Sequence, residues 1–371
     1  MIRLRGYLYP FRLNRQFLAP FTTALLHWYA GHTRPMPWKG ERDPYLIWLS
    51  EIVLQQTRVA QGMPYFERLK AAYPTVKVLA DAPEDELLKH WEGLGYYSRA
   101  RNLHAAAKYV AYELDGRFPA THADILALKG VGAYTAAAIA SFAYGLPHAV
   151  VDGNVYRVLA RVFGIATPID TTAGKKEFAA LAQRLLDERD PGRYNQAIMD
   201  FGATVCTPKR PACASCPLRE QCVALREGRV GELPVKAKQL KSRTRFFHYL
   251  VLRFDGQLVL RKRPAGDVWQ GLYDFPLVES DAADTATDTV LDRAGFLPPD
   301  RYTFERRSMP YRQTLSHQKI VGIFYEIRLA AAPQPLPEGA VLVSEDRVSD
   351  YAFPKIVDRY LHEQHRSLSL F

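Results

Sequence analysis

Leu128-Lys129-Gly130-Val131-Gly132-Ala133-Tyr134-Thr135-Ala136 decides how the chain is read. The stretch sits between an apolar-periodic segment, with Ile125, Leu126 and Leu128, and an alanine-rich helix predicted over 133–144. Two glycines permit a tight turn and leave backbone N–H groups exposed at a helix N-terminus, an anion site made without side chains. A glycine pair alone is also an ordinary turn, so the neighbours carry the weight. Apolar residues recur at spacings of three and four over 20–225, which predicts an all-helical segment. Asp43-Pro44 marks one helix start, a capping residue followed by proline. Another helix starts near Asp152 and carries Val151, Val155, Val158, Leu159 and Val162 on one face.

Beyond Cys222 the pattern changes. Residues 223–245 present no convincing apolar face and carry Lys236, Lys238, Lys241, Arg243 and Arg245, so a basic linker is placed over 226–243. Phe246–Phe254 and Gln257–Arg261 flank Asp255-Gly256, a strong hairpin signal. A short helix over 286–294 and a strand over 319–329 follow. The expected fold class is thus multidomain: an N-terminal extension over 1–19, an all-α domain over 20–225, the linker, and a mixed α/β domain over 244–371.

The 371 residues include 49 Lys and Arg against 39 Asp and Glu, a net charge of +10. That balance favours a polyanionic partner, nucleic acid or membrane surface. A composition 48% hydrophobic and 24% charged argues against wholesale disorder. There is no apolar run long enough for a membrane span. The N-terminus, with Arg3, Arg5, Tyr7 and Pro10, does not read as a secretory signal, so a cytoplasmic, nucleoid-associated location is expected.

Cys206, Cys213, Cys216 and Cys222 follow the spacing C-x6-C-x2-C-x5-C. A disulfide scaffold would spread its cysteines, whereas four thiolates this close can wrap one inorganic centre, zinc or iron–sulfur. Lys209, Arg210 and Arg219 make the loop cationic, suited to phosphate contact or simply to solvation. Two carboxylates also stand out. Glu51 has Ile47, Trp48, Leu54 and Gln55 as its helical neighbours and no basic partner among them. Such a glutamate is a misfit, a paired charge or a group with a raised pKa held as a proton donor, and the lack of a basic partner counts against the second. Asp152, in Val151-Asp152-Gly153-Asn154-Val155, reads equally as a helix cap and as an ionised group at a helix N-terminus.

Three blocks make a family resemblance specific. Pro37-Trp38-Lys39, Asp43-Pro44-Tyr45 and Ser50-Glu51-Ile52-Val53-Leu54-Gln55-Gln56-Thr57 resemble the signature of MutY-type adenine DNA glycosylases. Gly93-Leu94-Gly95-Tyr96-Tyr97-Ser98-Arg99-Ala100-Arg101-Asn102-Leu103, the Asp152-Gly153-Asn154-Val155 block and Asn195-Gln196-Ala197 extend the match over nearly all of 20–225. The glycine turn, within about 122–144, resembles the helix-hairpin-helix of the wider endonuclease III superfamily, and the cysteine spacing its 4Fe–4S loop over 206–222. The C-terminal part is similar to the family's Nudix-like domain.

The resemblance implies removal of adenine paired with 8-oxoguanine or guanine in duplex DNA by a protein that acts as a monomer, binds one 4Fe–4S cluster and has no membrane partner. It assigns Glu51 as acid and Asp152 as the carboxylate facing the sugar cation, with Tyr134 and Asn154 orienting them. Arg34, Trp38, Leu54 and Gln196 would line the adenine pocket. Gln56, Thr57, Leu94 and Tyr96, the hairpin residues Gly130, Val131 and Gly132, and Ser316 with His317 would contact DNA or the lesion. Relatives that also cut the backbone carry lysine where this chain has Tyr134, which implies a monofunctional enzyme. Leu315-Ser316-His317 differs from the family's Phe-Ser-His, and Gln313 stands where histidine is common. Gly271 to Gly295 holds one glutamate, Glu279, too few for a magnesium-dependent hydrolase. The rival readings are another glycosylase of the superfamily, acting on thymine mismatches or oxidised pyrimidines, a zinc-knuckle DNA-binding protein without activity, and an electron carrier.

Overall fold

A computed structural model describes residues 15–237, 242–295, 297, 301–332 and 335–368. The expected N-terminal extension lies outside these residues up to position 14. Helices α1 (Arg15–Ala30), α2 (Pro44–Leu54), α3 (Val59–Ala72), α4 (Val76–Asp81), α5 (Glu84–His90) and α6 (Ser98–Lys108) are followed by α7 (His122–Ala127), α8 (Ala133–Tyr144), α9 (Gly153–Phe163), α10 (Thr172–Leu185), α11 (Pro191–Thr204) and α12 (Val223–Arg226). By contact the chain forms two compact units. One comprises the residues up to Gln55 with Tyr112–Gln239, the other Gln56–Ala111 with Leu240–Phe371.

In the first unit, Asp43 caps α2 by accepting from the Tyr45 N–H at 2.9 Å, ahead of Pro44. The amphipathic face of α9 forms as its spacing predicts. Val155, Val158, Leu159 and Val162 are buried against Phe21, Leu25, Phe178, Leu181, Ala197 and Phe201, with Val151 packed at the margin. The small side chains of Ala136, Ala137, Ala138 and Ala140 on α8 are buried together with Ile139. A Cβ at Gly202 would come within 2.7 Å of the Asn154 Cβ, so glycine permits α11 to press on the start of α9.

The linker expectation needs correction at both ends. Leu233 is buried in the first unit's core, with Val230 and Val235 packed beside it. Its carbonyl accepts from Arg161 Nε at 3.1 Å, and the Val235 carbonyl accepts from the Ile169 N–H at 3.1 Å. A few spaced apolar residues therefore strap this segment down despite its basic composition. At the far end, Arg243 and Arg245 belong to a strand; residues 238–241 lie outside the described residues.

The second unit is built on a mixed sheet: β1 (Arg243–Phe254), β2 (Gln257–Lys262), β3 (Tyr273–Asp274), β4 (Leu277–Ser280), β5 (Tyr302–Arg307), β6 (Tyr311–Thr314), β7 (Gln318–Leu329) and β8 (Ala340–Ser344), with helices α13 (Thr287–Ala294) and α14 (Lys355–Leu368). Its main path runs β3-β2-β1-β7-β5, with β4 pairing β1, β6 pairing β7 and β8 pairing β2. The β1–β7 pair is parallel, from Arg243 opposite Gln318 to Arg253 opposite Arg328. β7 is buried over most of its length and β1 over Phe247–Leu252, which explains their apolar runs in place of alternation. Asp255 and Gly256 turn the β1–β2 hairpin with φ of 45° and 69°, the backbone that Asp-Gly favours.

Residues 56–111 fall within the segment expected as one helical domain, yet they join the sheet. Arg101 Nη1 donates to the Gln270 carbonyl at 2.6 Å, Lys262 Nζ to Asp85 at 2.5 Å, and the Phe353 N–H to Glu92 at 2.8 Å. These polar ties are side-chain events that helical periodicity does not register.

Candidate active site

The first unit brings Glu51, Tyr134, Asp152 and Asn154 together from three helices. Glu51, on α2, is 6% exposed. Burial raises its pKa to about 7; the hydrogen bond from Tyr134 opposes the rise and the Asp152 charge adds to it. Burial likewise pushes the Tyr134 phenol well above its ordinary value, with the two carboxylates adding to the effect. Tyr134 Oη also lies 3.4 Å from Met199 Sδ.

Asp152 is the N-cap of α9. Its Oδ1 accepts from the N–H groups of Asn154 at 2.9 Å and Val155 at 2.8 Å, and its Oδ2 from Asn154 Nδ2 at 2.8 Å. Burial raises its pKa, while these donors and the Arg157 charge act against that rise. Capping and site chemistry thus coincide, because the donors that satisfy the helix end also favour the ionised carboxylate. Asn154 is held in turn by Arg157 Nη2 at 2.8 Å, which also donates to the Gly202 carbonyl at 2.6 Å. Arg157 Nε donates to the Cys206 carbonyl at 2.6 Å. Arg157, which the sequence reading did not single out, therefore ties the cysteine loop to the carboxylate.

At the glycine turn, Thr121 caps α7 and Gly130 adopts φ of 82°. Gly132 caps α8 without a side chain, leaving that helix's first-turn N–H groups free of a side-chain cap. Val131 differs from the expected exposed donor: its side chain is buried and its N–H donates to the Leu128 carbonyl at 3.1 Å. Gln55 Nε2 donates to Thr135 Oγ1 at 3.2 Å and approaches the Gly130 carbonyl at 3.5 Å, tying the end of α2 to the turn.

Of the four adenine-pocket candidates, two converge on a residue that sequence reasoning missed. Asp200 is 1% exposed and accepts from Lys39 Nζ at 2.6 Å and Gln196 Nε2 at 3.2 Å, with Arg34 Nη1 at 3.7 Å. Its signal was available: an aspartate one helical turn after Gln196 on a largely buried helix. Trp38 is buried, and Leu54 is half-buried at the end of α2.

The remaining candidates lie in the second unit. Gln56 and Tyr96 are non-glycine residues at positive φ, 56° and 49°. Such backbone costs about 1 kcal/mol or more and is often found where a side chain is aimed for function. Tyr96 is 45% exposed and its hydroxyl lies 2.6 Å from Ser316 Oγ. Thr57 accepts from Arg99 Nη2 at 3.3 Å, whereas Leu94 is buried. Ser316 and His317 are exposed at the tip of the β6–β7 hairpin, where the Leu315 N–H donates to the Gln318 carbonyl at 2.8 Å. Gln313 instead accepts from the Ile356 N–H at 3.0 Å. Both Glu279 oxygens accept from Arg245, at 2.7 Å each.

The four cysteines are free thiols lining one cavity with Arg161, Val162, Phe201, Leu225 and Val230. Burial, then repulsion from the neighbouring thiolates, raises the Cys216 pKa to about 11, so joint ionisation calls for a compensating cation. Among the described residues no three His, Cys, Asp or Glu side chains are grouped closely enough to hold one metal ion. A single zinc needs all four sulfurs about 2.3 Å from one point; a polynuclear iron–sulfur core spreads its thiolates further apart. Four thiolates beside a partly apolar wall are a donor set that either group accepts.

Residues 49–186 match the family described as HhH-GPD superfamily base excision DNA repair protein, and residues 248–363 match a NUDIX domain. The chain is 34% identical over 257 residues to the adenine DNA glycosylase of Buchnera aphidicola subsp. Schizaphis graminum, covering 69% of this chain and 74% of the relative. It is 44% identical over 213 residues to the adenine DNA glycosylase of Homo sapiens, covering 55% of this chain and 39% of the human protein. The solved structure of a thermostable thymine-DNA glycosylase superposes with a TM-score of 0.54 at 30% identity, covering 57% of this chain and 98% of that one. With the buried glutamate, the capped aspartate and the hairpin in one helical unit followed by a Nudix-like sheet, the chain belongs to the adenine DNA glycosylase family of the HhH-GPD superfamily.

Proposed function

We propose that this enzyme removes adenine mispaired with 8-oxoguanine or guanine by hydrolysing the N-glycosidic bond and leaves an abasic site. The observation that carries the chemistry is Glu51, buried beside Tyr134 and Asp152 with its pKa raised to about 7. Adenine is a poor leaving group as an anion, and its bond to the sugar lies inside the base stack. The nucleotide must be flipped out, and the base must be protonated as it leaves. A neutral Glu51 supplies that proton at N7. Asp152, with its three donors and the α9 N-terminus, is the carboxylate suited to face the developing oxocarbenium, in the manner of a two-carboxylate glycosidase. Tyr134 cannot form the Schiff base that a lysine amine forms there, which supports a monofunctional enzyme.

Gln56 and Tyr96, aimed by unusual backbone, would wedge beside the widowed partner, and Ser316 with His317 would read 8-oxoguanine. The uncapped start of α8 would hold a DNA phosphate. Cys206, Cys213, Cys216 and Cys222 would hold one 4Fe–4S cluster, which when bound supplies a rigid cationic loop and no step at the sugar. Action as a monomer in the cytoplasm, on nucleoid DNA, completes the reading. No helix among the described residues is long and apolar enough to cross a membrane.

Single-turnover release of adenine from duplexes carrying 8-oxoguanine, guanine or thymine opposite tests it. Fast release opposite 8-oxoguanine, slower release opposite guanine, none opposite thymine and none by Glu51→Gln is expected. Release of thymine or oxidised pyrimidines instead would overturn it.

A further inference from the structure

Helix α11 places Gln196, Met199 and Asp200 on one face, at spacings of three and four. Met199 touches Tyr134, which hydrogen bonds with Glu51, so this face borders the acid. Asp200 is buried there between Lys39 and Arg34. An ionised carboxylate only accepts hydrogen bonds. The Gln196 amide therefore turns its NH2 to Asp200, donating at 3.2 Å. The Gln196 carbonyl oxygen then accepts nothing among the described residues and is left for whatever enters the pocket.

We propose that Asp200 is a positioning residue that locks the Gln196 amide with its carbonyl toward the base, so that the pocket demands an exocyclic amine and disfavours a purine with a carbonyl in that place. The inference rests on the adenine glycosylase reading and adds how the base edge is discriminated. Lys39 makes the arrangement switchable by one atom. In Asp200→Asn, the donor-only Lys39 ammonium would claim the new amide's oxygen. The amide NH2 would face Gln196, which would have to turn its carbonyl inward and its NH2 toward the base.

The test is single-turnover release of adenine and of hypoxanthine, each opposite 8-oxoguanine, by the full-length wild type and Asp200→Asn. Comparing the two enzymes on the same two bases cancels the intrinsic difference in leaving-group ability. The adenine-to-hypoxanthine rate ratio should fall by about tenfold or more in the variant, the scale of exchanging a made hydrogen bond for a facing pair of like groups. A ratio within about twofold of wild type, with both rates reduced together, would show a merely structural role and overturn the proposal. Should Asp200→Asn fail to fold, Gln196→Leu decides. It removes donor and acceptor alike and should cut the ratio by a similar factor; an unchanged ratio overturns the proposal. A wild type that releases no adenine overturns the functional reading itself, and this inference with it.

Discussion

Replacing Glu51 with glutamine should make the protein more stable and nearly inactive, and the two effects should follow pH differently. The folded-state pKa of about 7 lies above the ordinary 4.5, so the native protein binds more protons than the unfolded chain between these values. The protonated group costs nothing below pH 4.5, and stability is lost as pH rises toward and through 7. Holding the carboxyl near 7 costs its ionised form about 3 kcal/mol. Glutamine keeps the shape without the charge. At pH 8 the variant should gain about 3 kcal/mol, equivalent to roughly 6–12 °C for a unit of this size, and near pH 4.5 it should gain almost nothing. Calorimetry of wild type and variant at pH 5 and pH 8 measures this directly. Single-turnover excision should fall by at least about a hundredfold, the usual worth of a positioned acid. Wild-type excision should decline as pH rises through about 7, where Glu51 loses its proton. Parallel stability curves for the two proteins between pH 5 and 8 would refute the account of Glu51, whatever happened to activity.

Tyr134→Phe removes a hydrogen bond that favours ionised Glu51, so the alkaline limb of the rate profile should move up by about one pH unit, scaled from a charge-assisted bond; a limb that stays or moves down contradicts the contact. Arg157→Ala orphans the Asn154 side-chain oxygen and the Gly202 and Cys206 carbonyls, at about 1 kcal/mol or more each. It should slow excision and lower iron retained per chain, read by kinetics and metal analysis on one preparation. Ser316→Ala should reduce the preference for 8-oxoguanine over guanine by about fivefold while sparing the rate opposite guanine. Deleting 244–371 should likewise cost discrimination more than chemistry, but it also strips the partners of Arg101, Asp85 and Glu92, so the point substitution is the cleaner comparison. Metal analysis should find about four irons per chain and no zinc, and Cys222→Ser should lose them.

The sequence alone determined most of the elements and which residues stand out as candidates for chemistry. Asp43-Pro44, the glycines of the 128–132 turn and Asp255-Gly256 act through their own backbone preferences, and the apolar face of α9 through its spacing; such information is local. Glu51 was legible for the same reason, as an acid on a face whose helical neighbours are mainly large and apolar. The four cysteines were legible because chain length limits how far apart close neighbours can stand. What only the tertiary structure decided involves partners distant in sequence. Arg157 joins Asp152 to the cysteine loop through residues 202 and 206, Asp200 gathers Lys39 and Arg34 from more than 160 positions away, and helices 56–111 pack with a sheet that begins at Arg243. The basic segment after Arg226 was misjudged because Val230, Leu233 and Val235 are too few to raise a periodic signal, yet each finds a place in a core already formed. Periodicity tells which face of an element seeks burial. Which charges that burial brings together depends on how faces from distant parts of the chain meet, and only packing settles that.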